Sequence, residues 1–190
     1  MMIFEDDIKN SLKILKDGGV ILYPTDTLWG LGCDATSSAA IEKIFRIKTR
    51  NESKGLIVLV DGVAMLERYA RDIPQIAYEL TGISDSPLTI VYPEGRNLAK
   101  GVCNEDGSAA IRICRDEFCR ELIKRFRKPV ISTSANISGI SPPVSFSGVS
   151  EVIIRSADYV VKYRQDDRRK FSPSPVIKVE RNGVFKIIRR

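Results

Sequence analysis

The chain contains no histidine. That excludes a Ser-His-Asp triad, a Cys-His pair, an imidazole general base and every histidine metal site. Cysteine is scarce: Cys33, Cys103, Cys114 and Cys119 form no C-x-x-C. Their spacings suit neither a zinc ribbon nor a small disulfide scaffold, so they read as reduced thiols. Long apolar runs are also missing. Leu56-Ile57-Val58-Leu59-Val60 is among the longest, far short of the ~18–20 residues that span a bilayer. The opening MMIFEDDIKN is acidic and has no signal-peptide core, so the cytoplasm is the expected location and no membrane is an expected partner. No G-x-x-x-x-G-K-[ST] phosphate loop and no aromatic RNA-recognition motif occur.

What is present suits a folded domain. Over 190 residues, 43% are hydrophobic and 28% charged, enough for a packed core with a solvated surface. The length allows one large domain or two cramped ones, and with no internal repeat or linker a single domain over residues 1–190 is expected. Lys and Arg outnumber Asp and Glu by 30 to 24, a net charge of +6, which favours anionic ligands such as nucleotides or tRNA.

Hydrophobic periodicity predicts an α/β order. A first helix capped by Asp6 or Asp7 carries Ile8, Leu12 and Leu15 on one face and ends at Gly18-Gly19. A buried strand at 20–23 meets a turn at 24–27. A helix starts at Thr36-Ser37-Ser38, and a strand covers 56–60. Helical pattern over 62–82 is broken at Pro74. Strands follow at 88–92 and 110–114, then a helix over 116–127 and a strand from Val130 into Ser132-Thr133-Ser134-Ala135-Asn136. After a Gly/Pro/Ser loop at 139–148, strands at 160–161, 176–179 and 184–188 close the chain around a polar loop at 164–170. Such alternation implies helices covering a twisted sheet.

Several segments can carry chemistry, each with a plainer alternative. Gly30-Leu31-Gly32-Cys33-Asp34-Ala35 matches a dinucleotide fingerprint. However, Pro24 to Trp29 separate it from the preceding strand, and the acid downstream, Glu52, precedes the next strand instead of ending it. The alternative is that these glycines allow close chain approach. Lys48, Arg50 and Lys54 can hold a polyphosphate or simply complement a helix C-terminus. Ser132, Thr133, Ser134, Asn136 and Ser138 follow a buried strand, where open α/β sheets bind ligands, or form a capped polar turn. Arg112 interrupts the apolar run Ala110-Ile111-Arg112-Ile113-Cys114. It faces water or holds a carboxylate in a cleft, which Thr25, Asp26 and Thr27 can line as well.

Four blocks together resemble the YrdC family, the threonylcarbamoyl-AMP synthases. They are YPTDTLWGLGCDA from Tyr23 to Ala35, Lys48-Thr49-Arg50 before Leu56, Arg112 on its strand, and PVISTSANISG from Pro129 to Gly139. The resemblance implies a single YrdC-like α/β domain, with a twisted mixed sheet and flanking helices around a positively charged cavity. The implied reaction joins L-threonine, bicarbonate and ATP into L-threonylcarbamoyl-AMP and pyrophosphate, a nucleotidyltransferase activity. A separate transferase then modifies tRNA; direct binding of double-stranded RNA is a further expectation.

By motif, Lys48 and Arg50 resemble the catalytic basic pair. Arg50, Lys54, Ser108, Ser134, Asn136, Ser141 and Arg189 resemble ATP contacts. Thr27, Arg112, Ser132 and Ser174 resemble threonine contacts. Magnesium is implied as a companion of ATP, held by phosphate and water, with no protein metal site. The pattern departs from the family at Asn51, Leu59, Ser86-Pro87, Cys114 and Ser174-Pro175. Leu59 stands where a histidine is frequent and is expected to form part of an apolar niche for the threonine methyl. A non-enzymatic nucleotide- or RNA-binding module and carbamoylation of another substrate are the alternatives.

Overall fold

A computed structural model of the chain describes residues 2–49, 56–167, 169 and 172–190. Helix α1 spans Glu5–Lys16, with acids in its first turn and Lys13 and Lys16 in its last, both favourable to the helix dipole. The cap position is Phe4, with no side-chain capping bond, which corrects the expected Asp6 or Asp7 cap. Asp7 bonds elsewhere. Its carboxylate accepts from the Tyr159 hydroxyl at 2.6 Å and from the main-chain N–H of Lys162 and Tyr163 at 3.0 and 2.9 Å. These bonds fasten the first helix to a segment about 150 residues downstream.

Helix α2 (Ser38–Ile47) is capped by Ser37, as its sequence implied, with the hydroxyl accepting from Ala40 N at 3.3 Å. The pattern over 62–82 resolves into α3 (Val63–Tyr69) and α4 (Gln75–Ile83), with Pro74 at the N-cap of the second. Helix α5 (Glu117–Phe126) is capped by Asp116 and ends on Arg127 in the left-handed region, φ 61°. It buries Phe118, Leu122 and Ile123. A short α6 (Glu151–Ser156) follows.

The strands are β1 (Ile21–Tyr23), β2 (Gly30–Gly32), β3 (Ile57–Val60), β4 (Ala70–Arg71), β5 (Thr89–Tyr92), β6 (Glu94–Gly95), β7 (Ala109–Ile113), β8 (Val130–Ser134), β9 (Tyr159–Val160), β10 (Val176–Val179) and β11 (Phe185–Arg189). Among the described residues, nine form one mixed sheet in the order β11-β10-β5-β7-β3-β8-β2-β1-β9, and β4 pairs with β6 apart from it. The central pairs β3–β7 and β3–β8 run parallel and antiparallel respectively. This is the expected α/β class with a mixed sheet.

Strand β2 settles the glycine question. Gly30 and Gly32 lie within a strand, not in a phosphate-binding turn. A Cβ on Gly32 would stand 2.5 Å from Tyr23 Cε1 and 2.8 Å from Ile131 O. Glycine therefore lets Tyr23 cross β2 and donate its hydroxyl to Ile131 O at 3.1 Å. The core collects Phe4, Ile8, Tyr23, Leu31, Val58, Ile111, Phe118 and Val130 around the sheet.

The Asp7 contact carries a pH signature. Burial, and then its hydrogen bond to Asp7, push the Tyr159 hydroxyl up to about 12. A folded-state pKa above the unfolded value means that the contribution is complete below about pH 10 and is lost as pH rises towards 12. Tyr159→Phe should flatten this alkaline limb in urea titrations across that range; an unchanged limb would show that Tyr159 does not control it.

Candidate active site

The strand ends and the loops beside them enclose a cavity of about 500 Å³, measured with the solvent at its mouth. Its wall includes Thr27, Trp29, Gly30, Ile57, Arg112, Ser132, Thr133, Ser134, Pro142, Ser174 and Arg189. Six residues proposed from the sequence thus meet here from distant parts of the chain: Thr27, Arg112, Ser132, Ser134, Ser174 and Arg189.

Arg112 is the centre of the site. It sits on β7 opposite Leu59 of β3 and is 2% exposed, the largest fully buried side chain among the described residues. Burial of a guanidinium requires partners. Nη2 lies 3.1 Å from Asp26 Oδ1, and Nη1 donates to Thr27 Oγ1 at 3.2 Å. Nε is buried and has no acceptor. An unmet buried donor costs on the order of 1–3 kcal/mol.

The turn that supplies these partners is ordered by its own hydroxyls. Thr25 Oγ1 accepts from Thr27 N at 3.0 Å and donates to Leu28 O at 2.8 Å. With that proton committed, the 3.1 Å contact between the two hydroxyls has Thr27 as donor. Thr27 Oγ1 then has lone pairs left for Arg112. The second Asp26 oxygen receives the Cys114 thiol at 3.7 Å. Asp26 itself does not line the cavity.

Ser174 and Arg189 close the opposite wall. Ser174 is buried, its hydroxyl 2.8 Å from Thr89 Oγ1. Its carbonyl accepts from Arg189 Nε and Nη2 at 3.1 and 2.8 Å. Burial, and then the charge of Arg112, lower the pKa of Arg189 from its ordinary value. Two guanidinium groups facing one space favour an anion there. Over the mouth, the 139–148 loop rests on Trp29 through Phe146, with ring centroids 4.7 Å apart.

The other proposed residues lie off the wall or beyond description. Arg50 and Lys54 fall outside the described residues. Lys48 is buried; its ammonium donates to Ser134 O at 2.6 Å and Asn136 O at 2.7 Å, and its carbonyl accepts from Ser138 N at 3.1 Å. Asn136 donates to Ile137 O and Ile140 O, at 3.0 and 2.6 Å, while its buried Oδ1 has no partner. Ser141 is exposed beside Pro142. Ser108 precedes β7, about 13 Å along an extended chain from Arg112, and its hydroxyl serves Asp106 at 2.5 Å. Leu59 is fully buried and not on the wall; Ile57, on the same strand face, supplies the apolar contact. Of Thr25, Asp26 and Thr27, which the sequence offers as lining for the cleft, only Thr27 is on this wall; Trp29 and Pro142 gained no specific role from the sequence, although Trp29 stands inside its YPTDTLWGLG block.

Comparison with known proteins places this geometry in a family. The profile Sua5_yciO_yrdC, described as "Telomere recombination", matches residues 13–190. A threonylcarbamoyl-AMP synthase of Psychromonas ingrahamii is 37% identical over 155 residues, covering 80% of this chain and 81% of its own. Another from Pseudoalteromonas translucida is 31% identical over 160 residues, 83% and 86% of the two chains. The crystal structure of P. abyssi Sua5 complexed with L-threonine superposes with a TM-score of 0.83 at 27% identity over 94% of this chain. The chain spans about half of that protein's length, 52%.

Proposed function

This chain belongs to the Sua5/YciO/YrdC family, and from that premise we propose that it condenses L-threonine, bicarbonate and ATP into L-threonylcarbamoyl-AMP. Pyrophosphate is the second product, and a separate transferase uses the adenylate to modify tRNA. The observation that carries this reading is the buried Arg112 on the wall of a cavity lined also by the hydroxyls of Thr27 and Ser132. A guanidinium suits a carboxylate, and hydroxyls suit the threonine side chain and amine.

In the proposed step, the threonine amine bonds to the bicarbonate carbon with loss of water, and an oxygen of the resulting carbamate attacks the α-phosphorus of ATP. The bond from that phosphorus to the pyrophosphate oxygen breaks. Two anions must approach one another, so the chain's contribution is positioning and charge. Arg112 and Arg189 supply positive charge from the wall; Arg50 and Lys54 are assigned the triphosphate by motif. Ser134, Asn136, Ser141 and Ser108 are assigned to the nucleotide and Ser174 to threonine on the same basis. Lys48 would act in this scheme by holding the Ser134–Asn136 backbone in place.

Magnesium, when bound with ATP, would neutralise phosphate charge. Among the described residues no three His, Cys, Asp or Glu side chains form a metal cluster. No helix among those residues is long and apolar enough to cross a membrane.

The test is pyrophosphate release from ATP. Full release is expected only with threonine and bicarbonate supplied together, and Arg50→Ala should lower it tenfold or more, the ~1.5–3 kcal/mol of a charge-assisted phosphate contact. Equal release from ATP alone would overturn the reading.

A further inference from the structure

We infer that Asp26 is a positioning residue for amino-acid recognition, holding the Arg112 guanidinium in the orientation it presents at the cavity wall. The inference rests on the proposed reaction but concerns a residue that the assignments above leave out.

Three observations carry it. First, the Asp26 side chain is 10% exposed and its Oδ1 lies 3.1 Å from Arg112 Nη2. A carboxylate this deeply placed is retained only with a charged partner. Second, the guanidinium meets Asp26 at one terminal nitrogen, as an ion pair, and donates to Thr27 from the other. Two contacts on separate nitrogens restrict the guanidinium plane. Third, Asp26 and Thr27 are neighbours on one turn, ordered by the Thr25 hydroxyl. The anion that orients the arginine and the hydroxyl that shares it therefore move together.

Asp26 does not meet the substrate. It is absent from the cavity wall, and its two oxygens face Arg112 and Cys114. A general-base role would need reach to a reacting proton, and none of these contacts provides it. Its action is through Arg112. Without the negative charge, the buried guanidinium retains one neutral acceptor and is free to turn away from the wall at which a ligand carboxylate would meet it.

The experiment measures binding without turnover, by calorimetric titration of the full chain with L-threonine and separately with ATP. Asp26→Asn, which keeps shape and removes charge, is expected to weaken threonine binding tenfold or more and leave ATP affinity within about twofold. Asp26→Glu, which restores the charge, should recover threonine binding to within about fivefold of the parent. A structural role alone would weaken both ligands together and lower the melting temperature in proportion. Parent-like threonine binding by Asp26→Asn, a parallel loss of both ligands, or an Asp26→Glu variant that binds threonine tenfold or more weakly than the parent overturns the inference. If the parent chain itself does not bind threonine, the proposed reaction fails, and the inference with it.

Discussion

Lys48→Met is expected to lower the stability of the fold by about 2–4 kcal/mol and to abolish threonine-dependent pyrophosphate release. The side chain is 2% exposed, and its ammonium donates to two main-chain carbonyls, Ser134 O and Asn136 O, at 2.6 and 2.7 Å. Methionine matches the length but offers no donor. Two acceptors near the end of β8 would lose this partner, at on the order of 1–3 kcal/mol each. The segment they belong to carries Ser134, which lines the cavity, and Asn136. Loss of the stitch therefore disorders this side of the cavity as well as the fold. Lys48→Arg should not rescue, because a planar fork cannot occupy the socket of a compact ammonium. A lysine that only touched phosphate would behave differently: its loss would spare the unfolding midpoint and reduce activity alone. Urea titration of Lys48→Met beside the parent distinguishes the two, and an unmoved midpoint would refute the stitching role.

Much of the fold was legible because it is written in local chemistry. The Ser37 cap, the break at Pro74 and the buried runs around Val58 and Ile131 all follow from neighbours in sequence. Strand β2 was not legible. Gly30-Leu31-Gly32 has weak strand propensity and becomes a strand only because Tyr23 and β8 close on it from either side. The cap of α1 failed for a related reason, since Asp7 serves partners at 159–163 instead of its own helix end. Within the site, sequence alternation left Arg112 equally suited to solvent and cleft. Only the pairing of β7 with β3, and the return of the 24–29 turn over it, bury the guanidinium against Asp26. Family resemblance named Thr27, Ser132, Ser134, Ser174 and Arg189, which the structure brings to one cavity. It could not show that Lys48 holds backbone, or that Ile57 and not Leu59 faces the cavity.

Arg112→Lys is expected to lower kcat/KM for threonine by about 10- to 100-fold, or ~1.5–3 kcal/mol, while ATP binding survives. The ammonium can satisfy Asp26 but has no planar fork, so it cannot hold Asp26 and Thr27 and still present a donor at the wall. Arg112→Ala is the harsher variant. It leaves Asp26 buried without a cation, at about 3–5 kcal/mol, and its stability must be measured before its kinetics are read. The same geometry sets substrate choice. Valine replaces the threonine hydroxyl with a methyl, leaving a buried polar partner such as Thr27 or Ser132 unpaired, which a site built for hydrogen bonds rejects strongly. Serine lacks only the methyl, whose contact with Ile57 is worth roughly 1–3 kcal/mol. At subsaturating amino acid, pyrophosphate release should therefore fall in the order threonine, serine, valine. Turnover with valine above that with serine would mean that the hydroxyl is not read at this wall. An Arg112→Lys enzyme with unchanged affinity for threonine would mean that the buried guanidinium holds the turn at 24–29 in place and never meets the substrate.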